Sequence, residues 1–100
     1  MIKKLLVGLL IASSSVFAHT AIMSCFDNGD GTITCEGGFS DGSSASGVKF
    51  YVKQGGKNVV ASKMSEDSEV TFKKPSGDFQ AVFDAGEGHR VYIKSQDITE

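Results

Sequence analysis

From residue 20 onward the chain is interrupted by turn-forming residues so often that a helix has little room. Asn28-Gly29-Asp30-Gly31, the run "SDGSSASG" (40–47), Gly55-Gly56, Lys73-Lys74-Pro75-Ser76-Gly77 and the glycines at 86 and 88 divide it into short pieces. Glycine, asparagine and aspartate tolerate positive φ, which is what a tight turn demands. None of the pieces between has a convincing helical period. They read instead as seven strands, over 20–26, 32–39, 47–54, 57–62, 68–72, 78–84 and 89–95. The alternation is clearest in "GVKFYVKQ" (47–54), where Val48, Phe50 and Val52 point one way and Lys49, Tyr51 and Lys53 the other.

Strands of this length with turns every few residues predict an all-β fold, a small antiparallel β-sandwich of about seven strands. Its expected core is Val48, Phe50, Val52, Val59, Val70, Phe72, Phe79, Ala81, Phe83, Val91 and Ile93. The terminal "QDITE" is expected to fray. "DNGDG" has the look of a calcium loop, but Gly29 sits where the second oxygen ligand belongs and no glutamate closes the site, so a hairpin turn is the better reading. "GEGHR" leads from one strand into another, with no helix N-terminus to hold phosphate. No catalytic constellation stands out, and a non-enzymatic role is expected.

The first eighteen residues read as a signal peptide. Lys3 and Lys4 form a positive n-region, Leu5 to Ala12 an apolar core, and Val16-Phe17-Ala18 supplies the small residues that signal peptidase requires. The apolar run falls short of the roughly 18–20 residues that span a bilayer. Cleavage leaves one domain, 19–100, with no transmembrane segment, and a periplasmic or secreted location. The leader carries two of the ten basic residues and no acidic one, so cleavage moves the net charge from −2 to −4. Scattered, mildly acidic charge argues against nucleic acid as a partner. Cys25 and Cys35 both lie in the exported part and are expected to form a disulfide around "FDNGDGTIT". Two lone cysteines ten apart are not a zinc pattern.

Cleavage after Ala18 would make His19 the first residue. Its α-amine and its ring Nδ1 can then close a chelate ring on a metal. The amine, with a pKa of about 7.7–8, must lose a proton, which copper(II) and nickel(II) bring about near neutral pH. The other histidine is His89, which with Asp84 and Glu87 forms "DAGEGH", an imidazole and two carboxylates around a flexible turn. Such nitrogen and oxygen donors suit nickel, copper, cobalt or zinc, and raw affinity favours copper. Met23 is expected to pack rather than ligate. The plainer reading makes His19 a frayed terminus, His89 a strand cap and Asp84 a turn former. Strand direction separates the two readings. If the first and last strands pair in parallel, their N-terminal ends share a pole and the imidazoles can converge. If they run antiparallel, a seven-residue strand holds them roughly 23 Å apart.

At these same residues the chain resembles a known family. "AHT" at the cut, "GGFSDGSSASGVKFYV" (37–52) and "FQAVFDAGEGHRVYI" (79–93) are similar to the small extracytoplasmic accessory subunit of nickel and cobalt energy-coupling-factor importers. That family shows a signal peptide ending before His, an "FSDGxPxxGxxVxV" stretch and a late "DAGxGHR" stretch. The resemblance covers most of residues 19–100. Its last motif is the most specific, and the central one is shared with carboxypeptidase-regulatory-like and transthyretin-like sandwiches. The resemblance implies an exported immunoglobulin-like or transthyretin-like sandwich that assists nickel or cobalt uptake, by binding metal or by docking on the importer's membrane components. It points to His19 and His89, with Asp84, Gly86 and Gly88 shaping the turn. Two departures are Ser44, where proline is usual, and the end at Glu100 without the C-terminal membrane helix of many members. A weaker likeness, to small periplasmic copper carriers, rests on an N-terminal His and the acidic-x-His pair Glu87-Gly88-His89. A metal-free, partner-binding β-sandwich is the reading of a different class.

Overall fold

The computed structural model describes residues 20–100. The signal peptide expected over 1–18 and His19 lie outside the described residues. Strands β1 (Ala21–Asp27) and β2 (Thr32–Phe39) pair antiparallel across Asn28–Gly31. Turn side chains close this hairpin. Asp27 Oδ1 accepts from the Gly29 amide at 2.9 Å and Asp30 Oδ1 from the Thr32 amide at 3.0 Å, while Asn28 Nδ2 donates to the hydroxyls of Thr32 and Thr34. "DNGDG" is therefore a hairpin turn whose carboxylates serve its own backbone. Three residues before the turn Cys25 faces Cys35, and the two are disulfide-bonded. By loop-closure entropy a cross-link around ten residues is worth about 2–3 kcal/mol, a useful addition in so small a domain. The bond fits an extracytoplasmic protein.

Five more strands follow: β3 (Lys49–Gln54), β4 (Lys57–Lys63), β5 (Glu69–Lys73), β6 (Gln80–Asp84) and β7 (Arg90–Lys94), then a 3₁₀ turn over Ser95–Asp97. They divide into a three-stranded sheet, β1-β2-β5, and a four-stranded sheet, β4-β3-β6-β7, every ladder antiparallel. The expected seven-stranded sandwich is the fold found.

The core lies between the sheets. Ile33 and Cys35 of β2 with Val70 and Phe72 of β5 meet Phe50 and Val52 of β3 and Ala81 and Phe83 of β6. Phe72 packs against Phe50 and Phe79 at ring separations of 5.6 and 6.0 Å, and Phe39 meets Phe83 edge-on at 5.8 Å. Connections contribute as well. Ala45, in the serine-glycine loop, is fully buried, and its amide donates to Ser68 Oγ.

Two expectations are corrected here. Val59, expected in the core, is 50% exposed. A bulge at Val52/Lys53 pairs Val52 with Val60 and Lys53 with Asn58, so the extra residue turns Val59 out and Val60 packs inward. The terminal segment does not fray. Ile98 packs against the core, and the Thr99 carbonyl accepts from the Asp27 amide at 2.9 Å in a parallel bridge, satisfying an edge-strand donor.

Candidate functional site

Asp84 ends β6 and Arg90 begins β7, and the five residues between form a turn that carries His89. Ala85 donates its amide to the His89 carbonyl at 3.0 Å, and His89 donates its own to the Gly86 carbonyl at 2.8 Å. This closure needs left-handed backbone at Gly86 (φ 108°) and Gly88 (φ 80°), which explains glycine at both places. Asp84 Oδ1 accepts from the Gly86 amide at 3.0 Å and from Arg90 Nε at 2.9 Å. Those two donors, the amide first, hold the Asp84 carboxyl below its ordinary pKa. The turn expected to be flexible is thus pinned from inside and braced at its base.

This division of labour separates the two carboxylates that the sequence offered together. Asp84 commits one oxygen to the turn, and Glu87, at the exposed apex, commits none. His89 is half-buried, and its Nδ1 lies 3.2 Å from the Glu87 carbonyl. With the proton on Nδ1 that contact is a hydrogen bond, and Nε2 keeps its lone pair for a ligand. Metal-binding imidazoles are commonly oriented through a backbone carbonyl in this way.

The direction of the strands decides what else lies at this end. β1 and β7 sit in different sheets, so they do not form the ladder that a simple parallel pairing would require. They nevertheless run in the same sense. Ala21 starts β1 opposite Phe39 at the end of β2, and Arg90 starts β7 opposite Asp84 at the end of β6. Phe39 and Phe83, at those two strand ends, are in ring contact. The parallel bridge Phe26–Thr99 marks the opposite pole. The start of β1 and the histidine turn therefore share one end of the sandwich. A shallow depression beside the turn is lined by Phe39, Gly47, Val48, Ala85, Gly86 and Arg90, and neither the start of β1 nor His89 lines it.

Thr20 is fastened at this pole, its carbonyl accepting from the Ser40 amide at 2.9 Å and its amide donating to Ser40 Oγ at 3.1 Å. Asp41 follows Ser40 and accepts from the Ser43 amide at 2.9 Å. Sequence reasoning passed over Asp41 as part of a serine-glycine loop. Counting pairs back from the Asn28–Gly31 turn would have found it, because that register sets Thr20 against Ser40. Met23 packs against the core, as a hydrophobe does.

Among the described residues no three His, Cys, Asp or Glu side chains converge to hold an ion. The histidine turn itself supplies one imidazole and one exposed carboxylate, that of Glu87, about half of a four-coordinate shell. No helix among the described residues is long and apolar enough to cross a membrane. No protein-family model, no curated protein and no solved structure matches the chain.

Proposed function

We propose that the chain is an exported, non-enzymatic metal-binding protein that assists nickel or cobalt uptake, in the periplasm or outside the cell. The observation that carries the proposal is the shared pole. Thr20 lies at the end of the sandwich that also bears His89. After cleavage before His19, that residue would offer an amine and an imidazole. His89 would add Nε2 and Glu87 an oxygen, and Asp84 would hold the turn. Nitrogen-rich donors with one carboxylate suit nickel(II), cobalt(II) and copper(II), and copper would bind most tightly if the choice were left to affinity alone. The likeness in "AHT" and "DAGEGHR" favours nickel or cobalt, and makes the membrane components of a metal importer the proposed partner.

One observation supports a rival. Each hydrogen bond of the 84–90 turn is also what a structural turn needs, so a metal-free module that binds a protein partner is the second reading.

Calorimetric titration of the 19–100 protein with nickel(II), cobalt(II) and copper(II) tests the first. Strong binding is expected, reduced at least tenfold by one extra residue ahead of His19 and by His89→Ala. Affinity indifferent to the added residue removes the amine from the site. No affinity for any of the three leaves the partner-binding module.

A further inference from the structure

The charges that are scattered along the sequence are not scattered in space. On the four-stranded sheet the side chains alternating with the core residues face away from the sandwich. Their register places Lys63, Lys49, Asp84 and Arg90 in one cross-strand row and Ala61, Tyr51, Val82 and Tyr92 in the next. A third row holds Lys53, Gln80 and Lys94. Five cations thus occupy the strands of one face, where Asp84 is the one strand carboxylate and is already engaged by Arg90, while Asp78 borders the depression beside Lys53 and Lys94. Lys49, Lys53, Lys63 and Lys94 are all exposed, and no carboxylate among the described residues lies within ion-pair distance of them. The opposite face of the sandwich carries Glu36 and Glu69 side by side, with Lys73 as its strand cation. A net-acidic protein therefore has one cationic side.

From this arrangement we infer that the outer face of the four-stranded sheet docks on an anionic lipid surface. The cations spread in two dimensions. From Lys49 to Lys53, or Arg90 to Lys94, is about 13 Å along the strands, and from β4 to β7 is about 14 Å across them. A linear polyanion would meet one cationic row, and a charged plane meets both, with the uncharged middle row between them. The middle row suits an interface. Val82 is only 2% exposed although it faces outward, so its neighbours cover it, and beside it Tyr92 stands 54% exposed. Tyrosine, with an apolar ring and a polar tip, belongs at the headgroup level of a bilayer. The charge separation between the two faces orients the molecule against such a plane, which its net charge alone would repel. This surface lies at right angles to the histidine pole and does not depend on the metal reading. Docked this way, that pole points along the membrane rather than into it.

Flotation with phosphatidylcholine vesicles, with and without phosphatidylglycerol, tests the inference. The protein comes from the extracytoplasmic fraction, its N-terminus read by mass spectrometry so that no leader contributes. Binding is expected only to the anionic vesicles, and it disappears near 1 M salt, where the Debye length is about 3 Å. Lys53→Gln should lower the partition coefficient about fivefold, and Lys49→Gln, Lys53→Gln and Lys94→Gln together about a hundredfold. Lys73→Gln, an equal charge change on the other face, should leave it unchanged. These are exposed lysines, and thermal unfolding of each variant checks that the fold is kept. Failure to bind anionic vesicles overturns the inference, as does equal sensitivity to Lys73→Gln. Tighter retention on heparin or polyuridylate than on vesicles also overturns it and assigns the face to a polyanionic chain.

Discussion

Gly37 shows how much can rest on one absent side chain. It lies in β2, where a Cβ would come 2.5 Å from Cε2 of Phe83 and 3.1 Å from Cε of Met64. Phe83 is fully buried in a central strand of the facing sheet, so its ring has little room to yield. Gly37→Ala is expected to destabilise by about 1–3 kcal/mol, the usual cost of overpacking, as measured by denaturant unfolding. Gly38, where a Cβ meets nothing within 4 Å, is the control. Asp84 gives a prediction of a different kind. Its carboxyl is held below 3.8, chiefly by the Gly86 amide and then by Arg90, and Asp27 is lowered likewise, first by Lys74 and then by Gly29. The folded state therefore binds these protons less readily than the unfolded chain. The stability they confer is complete above the ordinary carboxyl pKa and is lost as pH falls through the depressed values. Unfolding curves taken between about pH 5 and pH 2 should fall more steeply for the native chain than for Asp84→Asn.

At the scale of elements, most strand positions were legible. The expected 32–39 is β2 to the residue, and the other six agree within about two residues at either end. This is because period-two alternation and turn residues act locally. What alternation could not supply was the bulge. Val59 and Val60 are adjacent and equally apolar, and only pairing with Val52 selects Val60 for the interior. The tail was misread for a similar reason. "QDITE" is polar and terminal, and nothing local signals that the Asp27 amide awaits the Thr99 carbonyl. Removing Ile98–Glu100 should thus cost roughly 1–2 kcal/mol, from the partly buried Ile98 and the lost bridge, where a frayed tail would cost nothing. Hydrogen exchange at Asp27 reads the same event directly, and should quicken in the truncated chain.

For the molecule as a whole, the question is how two sheets bring remote segments together. β1 joins one sheet and β7 the other, yet the ring contact of Phe39 with Phe83 at one end and the Phe26–Thr99 bridge at the other align them in the same sense. The titration of the 19–100 protein belongs to this scale, because it asks whether segments seventy residues apart in sequence act as one site. The vesicle experiment belongs here too. Its lysines come from three strands and its arginine from β7, and sheet order makes them neighbours. A carbonyl contact sets the ring of His89, a braced turn places that ring, and strand direction decides what it faces.

The amino-acid sequence by itself determined the all-β class, the strand limits, the disulfide partners and the residue types of the histidine turn. Each of these follows from interactions between residues close along the chain, or from a count of two cysteines. Only the tertiary structure decided which sheet each strand joins, that Asp84 braces the turn while Glu87 stands exposed, and that cations spaced through the chain line one face. Those outcomes depend on which strands become neighbours. Neighbour choice is set by burying one apolar face of every strand at once, a condition that no single stretch of sequence contains.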